Sequence, residues 1–386
     1  MQSMARWTLL GAGGLAIVGV ACETRGRAQE ATVRSAQADS APTKVIVPAR
    51  GATMPANWTA HVTPVSDADR KGADTTRRDS VVGKAGDSSR VPSAAGDSII
   101  KPRIQRDSSV RTSARPAPRD TFPTPPTPLP GSVLPGCRIV AFYGNPLSNR
   151  MGIMGALPPD RMLARLDSQA RTFEVADSAT PVVRALELIT PVAQGSPGPR
   201  NLWRTRMADT LIDRVARLAE ANGHLFILDV QVGKSTVAAE LEPLVQFLKR
   251  PYVHLALDPE FSMKGVEPPG KKIGTMDAAD VNVAIDLLAR LVDENQLPPK
   301  VLIVHRFTQR MLTNETKIKR DPRVQVVIDM DGFGPPFLKL GSYKAYIQDR
   351  PVQYYGIKLF YKNDKPMFSA QDLMRLFPIP QYIQYQ

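Results

Sequence analysis

From Cys137 to the C-terminus, short β-rich apolar runs alternate with stretches of helical periodicity, and this alternation constrains the fold more than any other feature. Strands that take turns with amphipathic helices lie parallel, with the helices covering the sheet. The runs fall at 138–143, 182–189, 225–230, 252–257, 301–304, 324–328 and 355–360, with 382–385 as an eighth strand. Between them, 158–172 carries Met162, Leu163 and Leu166 on one face, and 209–222 carries Leu211, Ile212, Val215 and Leu218 before Gly223 stops it. Ser235 opens a helix with Ala238, Leu241 and Leu248, 276–295 is striped by Val281, Ile285, Leu288 and Leu291, and 369–376 is a short helix. The segment 335–349 has no regular period. Eight strands in roughly 250 residues is the size of a (β/α)8 barrel of the TIM type. An open doubly wound sheet is the alternative, but no glycine-rich phosphate loop follows any strand. Gly233-Lys234-Ser235 lacks the upstream glycine of a P-loop, so nucleotide binding is not expected.

The residues before Cys137 read differently. Arg6 precedes an apolar stretch of about fifteen residues, too short to span a bilayer and right for an export signal. It ends in Val18-Gly19-Val20-Ala21-Cys22 and then turns polar, which resembles a bacterial lipobox with Gly19 in place of the usual leucine. Residues 1–22 are therefore expected to be a signal with Cys22 lipidated, anchoring an exported chain to the membrane. Cys137, the other of the two cysteines, would then be a lone packed thiol at the head of a strand. Residues 23–136 are rich in Ser, Thr, Ala, Arg, Asp and Pro, with Trp58 and Phe122 as the only aromatics. Such a segment buries too little apolar surface to offset its ordering entropy, so a disordered tether is expected, ending in a proline-rich spacer. The whole chain has 42% hydrophobic residues and 35 prolines, in keeping with a folded part and an unfolded part. Its net charge of +13 is spread over both parts without a nucleic-acid module, so no nucleic-acid partner is expected. Basic loops near an anionic envelope account for the charge.

In parallel barrels, chemistry sits at the C-terminal ends of the strands. Those ends read Tyr143-Gly144-Asn145, Glu187, Asp229-Val230-Gln231, Asp258-Pro259-Glu260, His305-Arg306, Asp329-Met330-Asp331, Lys358 and Tyr385-Gln386. Four of the strands thus end in carboxylates. The fourth stops in two acids spaced i, i+2, which continued strand geometry would point the same way. Carboxylates gathered in a dry cleft shift one another, so that one donates a proton while another stays ionised. Glycoside hydrolysis requires that division of labour. The expectation is Glu260 as general acid, Asp258 as its partner, and Asp329 or its neighbour Asp331 as second carboxylate. Tyr143, Asn145, Glu187, Asp229, Gln231, His305, Asp331 and Lys358 would contact substrate, with Trp203, Tyr143, Phe261 and Phe333 available to stack on sugar rings. Only four histidines occur, and none sits in H-x-H or H-E-x-x-H. A set such as His305 with Asp229 and Asp258 is not marked as a metal site by its spacing, and no metal or cofactor is expected. No G-x-S-x-G occurs either.

Asp258-x-Glu260 resembles the D-x-E element at the end of the fourth strand in barrel lysozymes and chitinases. There the glutamate is the proton donor, and the aspartate orients an N-acetyl group or tunes the donor. The chain departs from that pattern in lacking the longer D-x-x-D-x-D-x-E and any acid at the end of strand seven, which leaves the second carboxylate open. Ala141–Pro146, Leu228–Gln231, Leu255–Phe261, Ile273-Gly274 with Asp277–Asn282, and Tyr385-Gln386 together resemble a family of bacterial exported proteins and lipoproteins common in actinobacteria. The resemblance covers 137–386 and implies the domain boundary and an envelope location, but no particular reaction. Two functions follow as expectations: a glycoside hydrolase-like protein acting on a cell-envelope polysaccharide, or a non-catalytic glycan-binding or scaffold lipoprotein. Oligomeric state is left open.

Overall fold

The structure, a computed structural model, describes residues 122–386. The signal segment, Cys22 and the tether up to residue 121 lie outside the described residues. Eight strands close into one barrel: β1 (Arg138–Gly144), β2 (Val182–Ile189), β3 (Leu225–Val230), β4 (Val253–Leu257), β5 (Lys300–Arg306), β6 (Val324–Met330), β7 (Tyr354–Leu359) and β8 (Tyr382–Tyr385). Each strand pairs in parallel with its sequence neighbours, and β8 closes on β1 through Ile139–Tyr382 to Phe142–Tyr385. This is the expected (β/α)8 barrel, and closure rules out the open sheet.

Side chains on a strand alternate between lumen and helix layer. The lower lumen is apolar, with Ile139 and Ala141 from β1, Val183 and Ala185 from β2, Leu225 and Ile227 from β3, and Val301 and Ile303 from β5 in one buried cluster. Two residues further along the same face come Tyr143, Glu187, Asp229 and His305. Val327 on β6 is likewise followed by Asp329, and Tyr382 on β8 by Gln384. One alternation therefore builds an apolar floor and a polar upper layer.

The outer layer follows the helical stripes. Helix α1 (Pro159–Ala176) buries Met162, Leu166, Ala170 and Phe173, and α2 (Asp209–Ala221) buries Leu211, Ile212, Val215 and Leu218. The third connection is broken into α3 (Val237–Leu241), a 3-10 turn and α4 (Val245–Leu248). Helix α5 (Ala278–Asn295) starts at a capping box between Asp277 and Asp280. The β5–β6 connection has no α-helix, only the 3-10 turns Gln309–Met311 and Glu315–Lys317 around a two-residue strand, Leu312–Thr313, so one unit of the barrel lacks its helix. The segment with no sequence period contains α6 (Pro336–Tyr343), continued by a π turn. Its exposed faces carry Phe337, Leu338 and Leu340 while Lys339 is buried, which erases the polar stripe that normally marks a surface helix. The short helix near the C-terminus, α7 (Ala370–Leu373), is half as long as expected.

The proline-rich stretch 122–136, which its composition groups with the tether, packs against the N-terminal end of the barrel. Val133 and Leu134 join the lumen cluster, and Gln325 Oε1 accepts hydrogen bonds from both of their amides at 3.0 and 3.1 Å. Phe122 packs edge-on against Tyr355 and Phe377. Cys137, just ahead of β1, is fully buried and belongs to the lumen cluster. Because Leu134 closes the floor, Leu134→Ala is expected to cost about 2–5 kcal/mol of stability. Urea denaturation of the full chain checks this, and a loss below half a kilocalorie would mean that the segment does not close the floor.

Candidate active site

The two acids of the β4 end do not sit on a continued strand. Pro259 has no amide hydrogen to extend the ladder, and a 3-10 turn, Pro259–Phe261, begins there. Asp258 caps that turn, with Oδ1 accepting from the Glu260 amide at 3.2 Å. Oδ2 of Asp258 accepts from Gln231 Nε2 at 3.1 Å, and Gln231 Oε1 in turn accepts from the Ala193 amide. The turn folds over the barrel mouth, so both acids reach one cleft by a different route from strand alternation. Gly274 packs on its backbone so closely that a Cβ would stand 2.6–2.7 Å from the carbonyl oxygens of Pro259, Glu260 and Ser262. Only glycine fits there, which gives the Ile273-Gly274 block a physical reason.

The cleft encloses ≈ 660 Å³. Its polar lining includes Tyr143, Gln231, Asp258, Glu260, Asp331 and Lys358, with Arg150 at its edge among others, and its apolar lining includes Phe261, Phe307, Phe333, Phe360 and Leu338. Lys358 Nζ lies 3.6 Å from the centre of the Tyr143 ring, a close cation–π contact. Beneath this floor is a second, fully buried layer. Tyr143 Oη donates to Asp229 Oδ2 at 2.9 Å. His305 Nε2 stands 3.2 Å from Glu187 Oε1 and 3.9 Å from Asp229 Oδ1, while its Nδ1 is 3.2 Å from Asp329 Oδ2 and 3.5 Å from Asp331 Oδ2. Glu187 Oε2 accepts from the Tyr382 hydroxyl and from Gln384 Nε2. Gly356 makes room for Asp329, since a Cβ there would lie 2.6 Å from Asp329 Oδ1.

The structure thus divides the residues read from the strand ends. Glu260, Asp258, Asp331, Tyr143, Gln231 and Lys358 line the cleft, as do Phe261 and Phe333. Glu187, Asp229, Asp329 and His305 are fully buried below it, so they face one another and not a ligand in the cleft. His305 is accordingly a centre of the buried layer and not a lining group. Asn145 braces a loop: its Nδ2 donates to the Ile189 carbonyl and its Oδ1 accepts from the Leu147 amide. Trp203 lies away from the cleft, its indole donating to Asn201 and its face carrying Lys234 Nζ at 4.8 Å. Reading β8 from its last residues missed Tyr382 and Gln384. Counting back by two from the mouth identifies them, because Tyr385 falls on the outward parity and stacks on Tyr361.

Burial dominates the electrostatics. It raises Glu260 to about 8, with Asp258 and Asp331 adding like-charge repulsion. Burial also raises Asp331 to about 7 and Asp229 to about 8, with His305 the largest opposing influence in both cases. Asp329 is raised by burial against its hydrogen bond to His305. For His305 burial opposes the charge, but the hydrogen bonds to Asp329 and Glu187 outweigh it and raise the imidazole well above its usual value. Burial holds Tyr143 well above the ordinary tyrosine range, reinforced by Asp229 and Asp258.

Fold and site together define a parallel (β/α)8 barrel protein with an open, carboxyl-lined cleft at the C-terminal ends of its strands. No protein-family pattern matches the chain, and no characterised protein matches it in sequence. Among solved structures it is similar to the Bacillus subtilis mannanase BCman, at 11% identity over 64% of this chain and 79% of that one, with a TM-score of 0.33. A β-mannanase from a symbiotic protist of the termite Reticulitermes speratus matches at 9% identity, 65% and 79% coverage and a TM-score of 0.32. A family GH25 lysozyme from Aspergillus fumigatus matches at 13% identity, 42% and 73% coverage and a TM-score of 0.23. Likeness at this level bears on neither substrate nor mechanism.

The Glu260 shift has a consequence for stability. Its folded value, about 8, exceeds the ordinary 4.5, so between those pH values the folded chain keeps a proton that the unfolded chain releases. Its contribution to stability therefore falls as pH rises through that window. Glu260→Gln, which cannot ionise, is expected to gain stability relative to the native chain between pH 5 and about 8. Parallel urea titrations at the two pH values measure this, and a pH-independent difference would contradict the shift.

Proposed function

We propose that the barrel binds an envelope polysaccharide in its cleft and hydrolyses a glycosidic bond, with Glu260 as general acid. The observation that carries this reading is a carboxyl group that keeps its proton at neutral pH and opens into a cleft lined by further acids and aromatic rings. A leaving alkoxide needs a proton donor that is still protonated at working pH, and burial supplies one. Asp258 is the partner, fixed by Gln231 and by its capping of the turn that carries Glu260. Asp331, which lines the cleft, is the better placed of the two strand-six acids to meet substrate or water, because Asp329 is fully buried against His305. Phe261, Phe333 and Phe360 offer faces on which sugar rings pack.

Glu260→Gln is expected to lower turnover of envelope glycan fragments by at least about a hundredfold. Screening peptidoglycan, arabinan and galactan fragments by reducing-end release supplies the assay. The native rate should fall as pH rises through about 8, where Glu260 loses its proton. If Glu260→Gln leaves turnover of every active fragment unchanged, the assignment is wrong. The second reading, a glycan-binding protein without turnover, is favoured by the withdrawal of three of the acids, Glu187, Asp229 and Asp329, into the buried layer. Retained glycan binding with no product from any fragment would establish it.

The same reading places the chain in the envelope, attached through a lipid on Cys22. Cells fed labelled palmitate should yield a labelled native chain and an unlabelled Cys22→Ser chain. Label-free native protein would refute the anchor.

A further inference from the structure

The buried layer beneath the cleft holds more acid than its cations and hydrogen bonds account for. Its three acids, Glu187, Asp229 and Asp329, surround one imidazole, His305, while Lys358 in the cleft and Lys339, paired with Asp364, add positive charge from outside the layer. In a space without water, an unpaired carboxylate oxygen is costly. Yet Asp229 Oδ1, Asp329 Oδ1 and Asp331 Oδ1 are buried and accept no hydrogen bond.

The arrangement around His305 Nε2 has a second property. Glu187 Oε1 and Asp229 Oδ1 approach this nitrogen at 3.2 and 3.9 Å, and one ligand atom from each of the three residues lies within 4.8 Å of the others. Donors held about 2.0–2.2 Å from a tetrahedral divalent ion stand about 3.3–3.6 Å apart, so the Glu187 edge already fits and the wider ones must close by up to about 1 Å around one ion. Each residue is also anchored from behind. Tyr143 Oη holds the other oxygen of Asp229, Tyr382 and Gln384 hold the other oxygen of Glu187, and Asp329 Oδ2 sits 3.2 Å from His305 Nδ1. A carboxylate on Nδ1 fixes the tautomer that presents the Nε2 lone pair, as in carboxylate–histidine–metal triads.

We propose that Glu187, Asp229 and His305 form a buried site for one first-row divalent cation, Zn²⁺ or Mn²⁺. Two carboxylates and one imidazole suit such an ion, whereas Ca²⁺ and Mg²⁺ call for more oxygen donors. The ion would take the place of the Nε2 proton between the two carboxylates and give the orphaned Asp229 oxygen a partner. It would lie under the cleft floor, fixing Tyr143 through Asp229. The inference goes beyond the glycan reading and does not depend on it.

The test uses the full chain, stripped with chelator and titrated with ZnCl₂ by calorimetry, and separately loaded with Mn²⁺ for pulsed EPR. Expected are one site per chain of micromolar or tighter affinity and nitrogen coupling from a single imidazole. Glu187→Gln and His305→Gln, each checked for folding by circular dichroism, should weaken binding by more than about tenfold, and His305→Gln should lose the nitrogen coupling. Absence of a site or of imidazole coupling in the native chain overturns the proposal and leaves a shared proton at Nε2. So does unchanged affinity in either folded variant. If neither variant folds, the native measurements decide.

Discussion

Everything in this molecule depends on closing a sheet around a lumen that water does not fill. Closure satisfies the backbone of all eight strands and removes every edge, but it commits each inward side chain to a dry, shared space. In the lower lumen that suits Ile, Val, Leu and Ala. In the upper layer the same parity delivers Glu187, Asp229, His305 and Asp329, and their charges must be settled locally. The raised carboxyls, the cationic imidazole and the tyrosine hydroxyls bound to carboxylates all express that one requirement.

The layer also explains why the cleft above it is chemically uneven. Its acids below the floor hold one another in place, with Tyr143 as the lid between the two levels. The acids that remain in the cleft, Asp258, Glu260 and Asp331, therefore rest on a rigid support. Pre-organisation of that kind is what a proton donor needs if it is to act without rearranging its surroundings. A group at the mouth is positioned by groups that never touch its ligand.

Much of this was legible from residue order. Strand number, parallel closure and the concentration of acids at strand ends follow from short apolar runs, four of them closed by carboxylates, alternating with helical stripes. Four things were not. The turn at Pro259 replaces strand geometry at the very residues where i, i+2 spacing was used, so the two acids converge for a local reason. The split between cleft and buried layer is invisible because parity fixes a side chain's face but not its depth. The role of 122–136 was hidden because a proline-rich stretch looks unstructured by composition, while Val133 and Leu134 are the only residues in it that matter for packing the floor. Helix α6 escaped for the opposite reason, having apolar residues where a solvent face should be polar.

The floor plug carries one more consequence. Phe122, Val133 and Leu134 bind the N-terminal ends of the strands, and the cleft opens at the C-terminal ends. Whatever is joined to the chain ahead of residue 122 is therefore joined at the pole opposite the mouth. The barrel thus has a direction, with its floor plug and its cleft at opposite ends of one lumen.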